Sequence, residues 1–314
     1  MKIVFMGTPD FARESLEAVY NNGHDILAVV TNPDKPKGRG MKMVASPVKE
    51  FAMEKGLKIY QPEKVRKNDE FINEIKTLNP DVICVVAYGK ILPQEILDIP
   101  EKGSINVHGS LLPQYRGAAP IQWAVLNGDK ITGITTMYMG AGMDTGDMIL
   151  KQKVEIGEDE TTGELWDRLS KIGAELLVET LKQIEAGTAP RIPQGDDFTM
   201  APMLDKEMAK IDWKNKTAKE IKNLVRGLNP IMGAYTFLNG KKIKFWKVDL
   251  AEGIEGNPEL KNGTVIKTDK KDGIYIKTKE GVLKVIEIQG ENAKRMSIQD
   301  YLRGNSINEF EIFE

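Results

Sequence analysis

The chain has 314 residues, of which 41% are hydrophobic and 29% charged, the balance of a soluble globular protein and a length that suggests two domains. No apolar run approaches the roughly 18 residues needed to span a bilayer, and Met1–Gly7 is too short for a secretory signal, so a cytoplasmic setting is expected. One cysteine, Cys84, excludes an internal disulfide framework, and no Cys/His cluster has metal-ligand spacing, so no metal is expected.

The net charge of −2 hides an asymmetry. Lys206 to Lys247 holds eleven basic residues against three acidic ones, and Asp34 to Lys49 holds five against one, on a chain that is otherwise acidic. Two separated basic stretches point to localised contact with a polyanion; taken singly, either is equally well a solvated face.

In chain order, Lys2–Met6 is an apolar run ending at Gly7, a first buried strand. Thr8-Pro9-Asp10 opens a helix from Phe11 to about Asn21, with Thr8 as its cap. This β-turn-α unit has one glycine where a dinucleotide fingerprint needs three, so a dinucleotide reading is weak. Asn21–Asp25 reads as a turn, which makes His24 structural, and Ile26–Val30 as a second strand. Thr31–Met43 has no helix or strand period; its Lys35, Lys37, Arg39 and Lys42 suit phosphate contacts. Ser46-Pro47 caps a helix to about Lys55, Leu57–Tyr60 is a short strand, and Glu70–Leu78 a surface helix stopped by Asn79-Pro80. Asp81–Ala87 is almost continuous in apolar and β-branched residues, a central parallel strand with Cys84 as an inert buried thiol.

Ser104–Val107 is another buried strand, broken by Gly109. Asn106 and His108, two apart on an extended chain, point to one side at its carboxyl end, where open α/β sheets bind ligands. An amide N–H and an imidazole there suit oxyanion stabilisation and proton handling. Ala119–Leu126 reads as a helix, Gly133–Met139 as a strand leading into a glycine-rich turn around Asp144, Asp147–Ile156 as a strand and Thr161–Glu185 as a long helix. This is an α/β pattern over residues 1–189. Pro190–Asp205 reads as a semi-rigid linker. From 206 to 314, a helix at Thr217–Arg226 with a basic outer face, five short strands, an Asn239-Gly240 hairpin turn and a late helix at Ser297–Leu302 suggest a small β-barrel.

The run Asn106-Val107-His108-Gly109-Ser110-Leu111-Leu112-Pro113, with Tyr115-Arg116-Gly117 and Asp144-Thr145-Gly146-Asp147, closely resembles the 10-formyltetrahydrofolate-dependent formyltransferase family, and the likeness extends from Met1 to about Leu302. The resemblance implies a Rossmann-like, doubly wound, mostly parallel sheet in the first domain and an OB-like barrel in the second. It implies 10-formyltetrahydrofolate as formyl donor, no metal, and Asn106, His108 and Asp144 as catalytic residues, with Asp144 holding His108. Ser110, Leu111, Leu112 and Pro113 would shape the folate site, with Tyr88, Ile91, Leu92, Met139 and Gly140 near the pterin ring; ordinary core packing explains Ile91 and Leu92 equally well. Relatives often carry an acidic residue where Gly140 stands.

The basic loop resembles the insertion with which the branch acting on methionyl initiator tRNA enters the acceptor stem. That implies initiator methionyl-tRNA as acceptor, with Lys35, Lys37, Arg39, Lys42, Lys206, Lys210, Lys241, Lys242, Lys244 and Lys247 as tRNA contacts, and a monomer. Two alternatives stand: a small-molecule acceptor such as a sugar nucleotide, and a non-catalytic tRNA-binding protein.

Overall fold

A computed structural model describes residues 1–37 and 41–314; Gly38, Arg39 and Gly40, and with them the contact expected of Arg39, lie outside the described residues, as does the side chain of Lys37. The chain divides into two compact units, one of residues 1–120, 131–155 and 166–202, the other of 121–130, 156–165 and 203–314.

The elements up to the long helix are β1 (Lys2–Gly7), α1 (Asp10–Asn21), β2 (Asp25–Val30), β3 (Lys35–Lys37), β4 (Lys42–Val44), α2 (Pro47–Glu54), β5 (Ile59–Tyr60), α3 (Asp69–Leu78), β6 (Val82–Val86), α4 (Gln94–Leu97), β7 (Ser104–His108), α5 (Pro120–Leu126), β8 (Ile131–Tyr138), β9 (Met148–Glu155) and α6 (Thr162–Glu185). The first unit is built on a seven-stranded sheet in the order β5-β2-β1-β6-β7-β8-β9, parallel from β5 to β7 and antiparallel thereafter. The apolar run of β6 is buried along its whole length between β1 and β7, as a strand covered on both faces must be. Cys84 in its middle is fully buried, and burial pushes its thiol pKa up, so it is inert.

Local chemistry sets the helix starts. Ser46 accepts from the Lys49 N–H at 3.1 Å with Pro47 in the first turn, and Asn68 does the same for α3 from Phe71. Thr8 does not cap α1. Pro9 stands at that position without a side-chain bond, and the Thr8 hydroxyl instead meets the Tyr88 carbonyl at 3.4 Å and accepts from Asn32 Nδ2 at 3.0 Å, tying the turns after β1, β2 and β6 together.

Two further expectations are corrected. The basic loop contains an antiparallel pair, β3 with β4, held by backbone bonds that need no side-chain alternation. Pro190–Pro202 is no spacer: Ile192 bridges Met148, Met200 bridges Arg116, and Ala201 exchanges backbone bonds with Arg116 and Ala119, so the segment packs as part of the first unit.

In the second unit, α7 (Ala218–Gly227) carries a capping box between Thr217 and Glu220. Its last carbonyl, on Gly227, accepts from Thr162 Oγ1 at 2.8 Å, and Arg226 donates to the carbonyls of Gly157 and Glu160. These bonds are why residues 156–165, which chain order puts in the first domain, pack with the second unit. The basic face of α7 is also partly neutralised, since Lys222 pairs with Asp159 and Asp249, and Lys216 with Glu220.

The remaining elements are β10 (Ala234–Leu238), β11 (Lys241–Leu250), β12 (Val265–Asp269), β13 (Gly273–Lys277), β14 (Val282–Gln289), β15 (Met296–Ser297) and α8 (Ile298–Gly304). The strands form one antiparallel sheet, β10-β11-β14-β13-β12, with β15 on β14. Its two end strands are joined by the last residues of the chain: Phe313 bridges Leu238 and Ile312 bridges Thr264. Trp213, Phe245 and Phe313 meet in the core with ring centroids 5.5–6.2 Å apart. Among the described residues no helix is long and apolar enough to cross a membrane.

Candidate active site

β7 lies between β6 and β8, and its register sets Asn106 opposite Met137 and His108 opposite Thr135. Asn106 is half-buried, and its amide has no hydrogen-bond partner among the described residues. His108 is buried. Its Nε2 lies 2.9 Å from the Tyr115 carbonyl, which only accepts, so this nitrogen carries a proton. Nδ1 is turned to Asp144, 3.7 Å from Oδ1, an ion-pair separation longer than a hydrogen bond. The other Asp144 oxygen accepts from the Gly117 N–H at 2.8 Å. His108, expected as an oxyanion donor, therefore has one N–H already spent on the backbone, and Asp144 braces it across a gap.

The backbone around these groups is strained. Tyr115 and Asp144, neither a glycine, sit at φ of 61° and 52°, conformations that cluster where surrounding structure enforces them for function. Gly117 is at φ +125°, and a Cβ there would lie 2.7 Å from the Ala201 carbonyl.

The loop after β7 is pinned from β8. Thr135 Oγ1 donates to the Ser110 carbonyl at 2.7 Å and accepts from the Leu112 N–H at 3.1 Å, while Ser110 Oγ donates to the Gln114 carbonyl at 2.6 Å. Leu112 packs with Met137 and Met148, and the Leu112–Pro113 bond is cis. Lys151 donates its ammonium to the Leu112 carbonyl, and burial, aided by Lys153, pulls its pKa down. Leu111 and Pro113 are half-buried in the same loop.

Tyr88, Leu92 and Met139 share one apolar cluster under the turns after β6 and β8, whereas Ile91 is 59% exposed. The Tyr88 hydroxyl is buried without a partner among the described residues, and burial raises its pKa to about 12. A side chain at Gly140 would meet nothing within 4 Å, so the backbone there borders open space.

The expected polyanion contacts fall in two groups. On the hairpin, Lys35 and Lys42 are exposed beside Met41 and Met43, while Lys49 is used up by Asp34 at 2.7 Å. In the second unit, Lys206, Lys210, Lys241 and Lys247 are exposed. Alternation along β10 and β11 sends Ala234, Thr236, Leu238, Ile243 and Phe245 inward and leaves Tyr235, Phe237, Lys242, Lys244 and Trp246 half-exposed. Lys242 lies 3.6 Å from the centre of the Tyr235 ring, Lys210 stands over Phe237, and Lys244 stands over Trp246 while donating to the Met232 carbonyl. Cations interleaved with aromatic rings are what a nucleic-acid surface uses.

Sequence reasoning gave no role to Arg116 or Gln194. Gln194 Nε2 donates at 2.8 Å to the carbonyls of both Asp144 and Gly146, and its Oε1 accepts from Arg116. Arg116 stood inside the motif, and its charge close to the Asn106–His108 strand was the available signal; Gln194 lies in an extended run with no periodicity to mark it.

With this site at the carboxyl end of β7, the chain is a transferase of formyl groups by its family, the formyl transferases: residues 1–181 match the formyl transferase domain and residues 203–306 the formyl transferase C-terminal domain. It is 52% identical over 310 residues to the methionyl-tRNA formyltransferase of Caldanaerobacter subterraneus subsp. tengcongensis, covering 98% of each chain. Two solved structures share the fold at lower identity. One is the N-formyltransferase from Helicobacter canadensis in complex with folinic acid and dTDP-3-aminofucose (TM-score 0.66, 19% identity, 93% of this chain and 100% of that one). The other is HypX from Aquifex aeolicus with tetrahydrofolic acid (TM-score 0.62, 17% identity, 97% of this chain and 47% of that one); the present chain spans about half the length of HypX.

Proposed function

We propose that this chain transfers the formyl group of 10-formyltetrahydrofolate to the α-amine of methionine esterified to initiator tRNA, giving N-formylmethionyl-tRNA for translation initiation. The observation that carries this acceptor is the 52% identity to a methionyl-tRNA formyltransferase over 98% of both chains, against 19% to an enzyme crystallised with a sugar nucleotide. A non-catalytic role is disfavoured by the strained, fully braced Asp144 turn, which a tRNA-binding protein has no need to maintain.

The folate supplies the formyl carbon and, on leaving, an amine nitrogen. Asn106 has an uncommitted amide to donate to the formyl oxygen as negative charge builds there, and the open space beside Gly140 leaves room for the heterocycle next to the Tyr88–Leu92–Met139 cluster. Ser110 to Pro113 shape the rest of the folate site. The methionyl amine adds to the formyl carbon to give a tetrahedral oxyanion, and the bond to N10 breaks as that oxyanion collapses; one proton leaves the amine and one joins N10. His108 Nδ1, free while Nε2 holds Tyr115, takes the first proton and returns it, and the Asp144 carboxylate stabilises the cation in between. No covalent enzyme intermediate enters. Lys35, Lys37, Arg39 and Lys42 meet tRNA phosphates, and the cation–aromatic face of β10–β11, with Lys206, Lys210, Lys241 and Lys247, meets a second region of the tRNA. The protein works as a cytoplasmic monomer.

The test is formyl transfer from 10-formyltetrahydrofolate to methionyl initiator tRNA, with methionyl elongator tRNA and a dTDP-aminosugar as competitors. Formylation of the initiator above both is expected. Preference for the aminosugar overturns the acceptor, and no transfer to any amine overturns the activity. Sedimentation of the purified chain checks the monomer.

A further inference from the structure

From Arg191 to Met200 every residue is exposed except Gln194. Its amide is saturated. Oε1 accepts from Arg116 Nε at 3.0 Å and Nη2 at 2.8 Å, and Nε2 spends its two hydrogens on the carbonyls of Asp144 and Gly146, at 2.8 Å each. Two donors on one end and two acceptors on the other fix the amide in one orientation. Arg116 is itself immobilised. Its guanidinium lies 4.5 Å from the centre of the Phe198 ring, and its backbone bonds to Thr199 and Ala201. Asp144 meanwhile occupies the left-handed region at φ 52°. A residue held there needs support on its backbone, and the two carbonyl bonds from Gln194 supply it.

We infer that Gln194 is a positioning residue for formyl transfer: clamped by Arg116, it holds the Asp144–Gly146 turn so that the Asp144 carboxylate faces His108 Nδ1. This rests on the reaction proposed above, but the contact itself is testable without it. The chemistry singles out glutamine. A glutamate keeps the arginine but turns a bare oxygen toward two carbonyl oxygens, acceptors facing acceptors, and a leucine loses all four bonds.

The test compares Gln194→Leu, Gln194→Glu, Asp144→Asn and the Gln194→Leu/Asp144→Asn double variant with the parent chain. A misplaced reacting group costs up to about 10²-fold in rate, so kcat is expected to fall about 10–100-fold in Gln194→Leu, with KM for both substrates near the parental values. The double variant is expected to be no slower than Asp144→Asn, because the clamp acts through that carboxylate. Arg116→Lys, which cannot give two parallel donors to Oε1, is expected between parent and Gln194→Leu. The chain has only two histidines, so a His24→Gln variant assigns the ring signals of His108, and in Gln194→Leu these are expected to move toward their Asp144→Asn positions. Parental kcat in Gln194→Leu, losses that multiply in the double variant, or unmoved His108 signals each overturn the inference. If Gln194→Leu does not fold, Gln194→Glu carries the same comparisons. If the parent chain formylates no tRNA, the assigned reaction fails while the ring signals still decide whether Gln194 sets the Asp144–His108 contact.

Discussion

The loop from Gly109 to Ala119 and the β3–β4 hairpin leave the same edge of one sheet, at the carboxyl ends of β7 and β2, and are built on opposite principles. In the first, main-chain groups are fastened from several directions: by Thr135 at Ser110 and Leu112, by Thr199 at Tyr115, by Ala201 at Arg116 and Ala119, and by Asp144 at Gly117. In the second, Met41 and Met43 are about two-thirds exposed, and Lys35 and Lys42 have no ion pair among the described residues. On the function proposed above, a loop folded over the strand end that carries Asn106 and His108 is set before substrate arrives, whereas one that meets a string of phosphates keeps its ammonium groups available.

That contrast breaks most visibly at β7. Asn106→Ala or His108→Ala is expected to lower turnover about 10²–10³-fold while tRNA affinity stays within about twofold. Near-parental turnover in either variant removes the reason for the fastening. Gly117→Ala attacks the fastening itself, since its Cβ would press on the Ala201 carbonyl in a backbone region that L residues avoid. It is expected to cost about 1–3 kcal/mol in a urea melt and at least tenfold in turnover.

Changes on the hairpin should act only on binding. Lys35→Ala/Lys42→Ala is expected to weaken tRNA binding severalfold and to flatten its dependence on salt by about one phosphate contact per lysine, with kcat at saturating tRNA unchanged. A fall in kcat instead would make the hairpin part of the chemistry.

The smallest expected effect is a control in the second unit. Thr217→Ala is expected to cost about 1 kcal/mol of stability through the lost cap. Lys216 first, and then the Thr217 backbone, holds the Glu220 pKa down to about 2 from an ordinary 4.5. A carboxylate depressed in the fold adds stability above its unfolded pKa and loses it as pH falls through the folded one. The parent's advantage over Glu220→Gln is therefore expected in full above about pH 4.5 and gone near pH 2, read as melting temperature against pH.

Much of this was legible in the chain because its signals are local. The β-branched run Val82–Val86 can only be an inner strand, Ser46-Pro47 announces a helix, and Asn239-Gly240 supplies the two left-handed residues a tight hairpin requires. Asn106 and His108 were legible for the same reason, sharing a strand at period two. What escaped depends on distant partners. Thr8 has a capping residue's chemistry, but Tyr88 and Asn32, remote in sequence, claim its hydroxyl. Lys35-Pro36-Lys37 carries no strand pattern, since its pairing is made by backbone alone. Ile312-Phe313 is too short to announce itself as the segment that joins the two ends of a sheet. Gln194 is one glutamine among prolines and exposed polar residues until Asp144 and Arg116 are set on either side of it.

The sealed thiol at the centre of β6 has a practical corollary. With Cys84 out of solvent and reluctant to ionise, the folded chain offers no competing thiol to a maleimide or a spin label. A single cysteine introduced at Met43 or Asp196, both exposed, would therefore take up a thiol-directed fluorophore, turning the exposed hairpin or the segment that carries Gln194 into a direct optical reporter of substrate arrival.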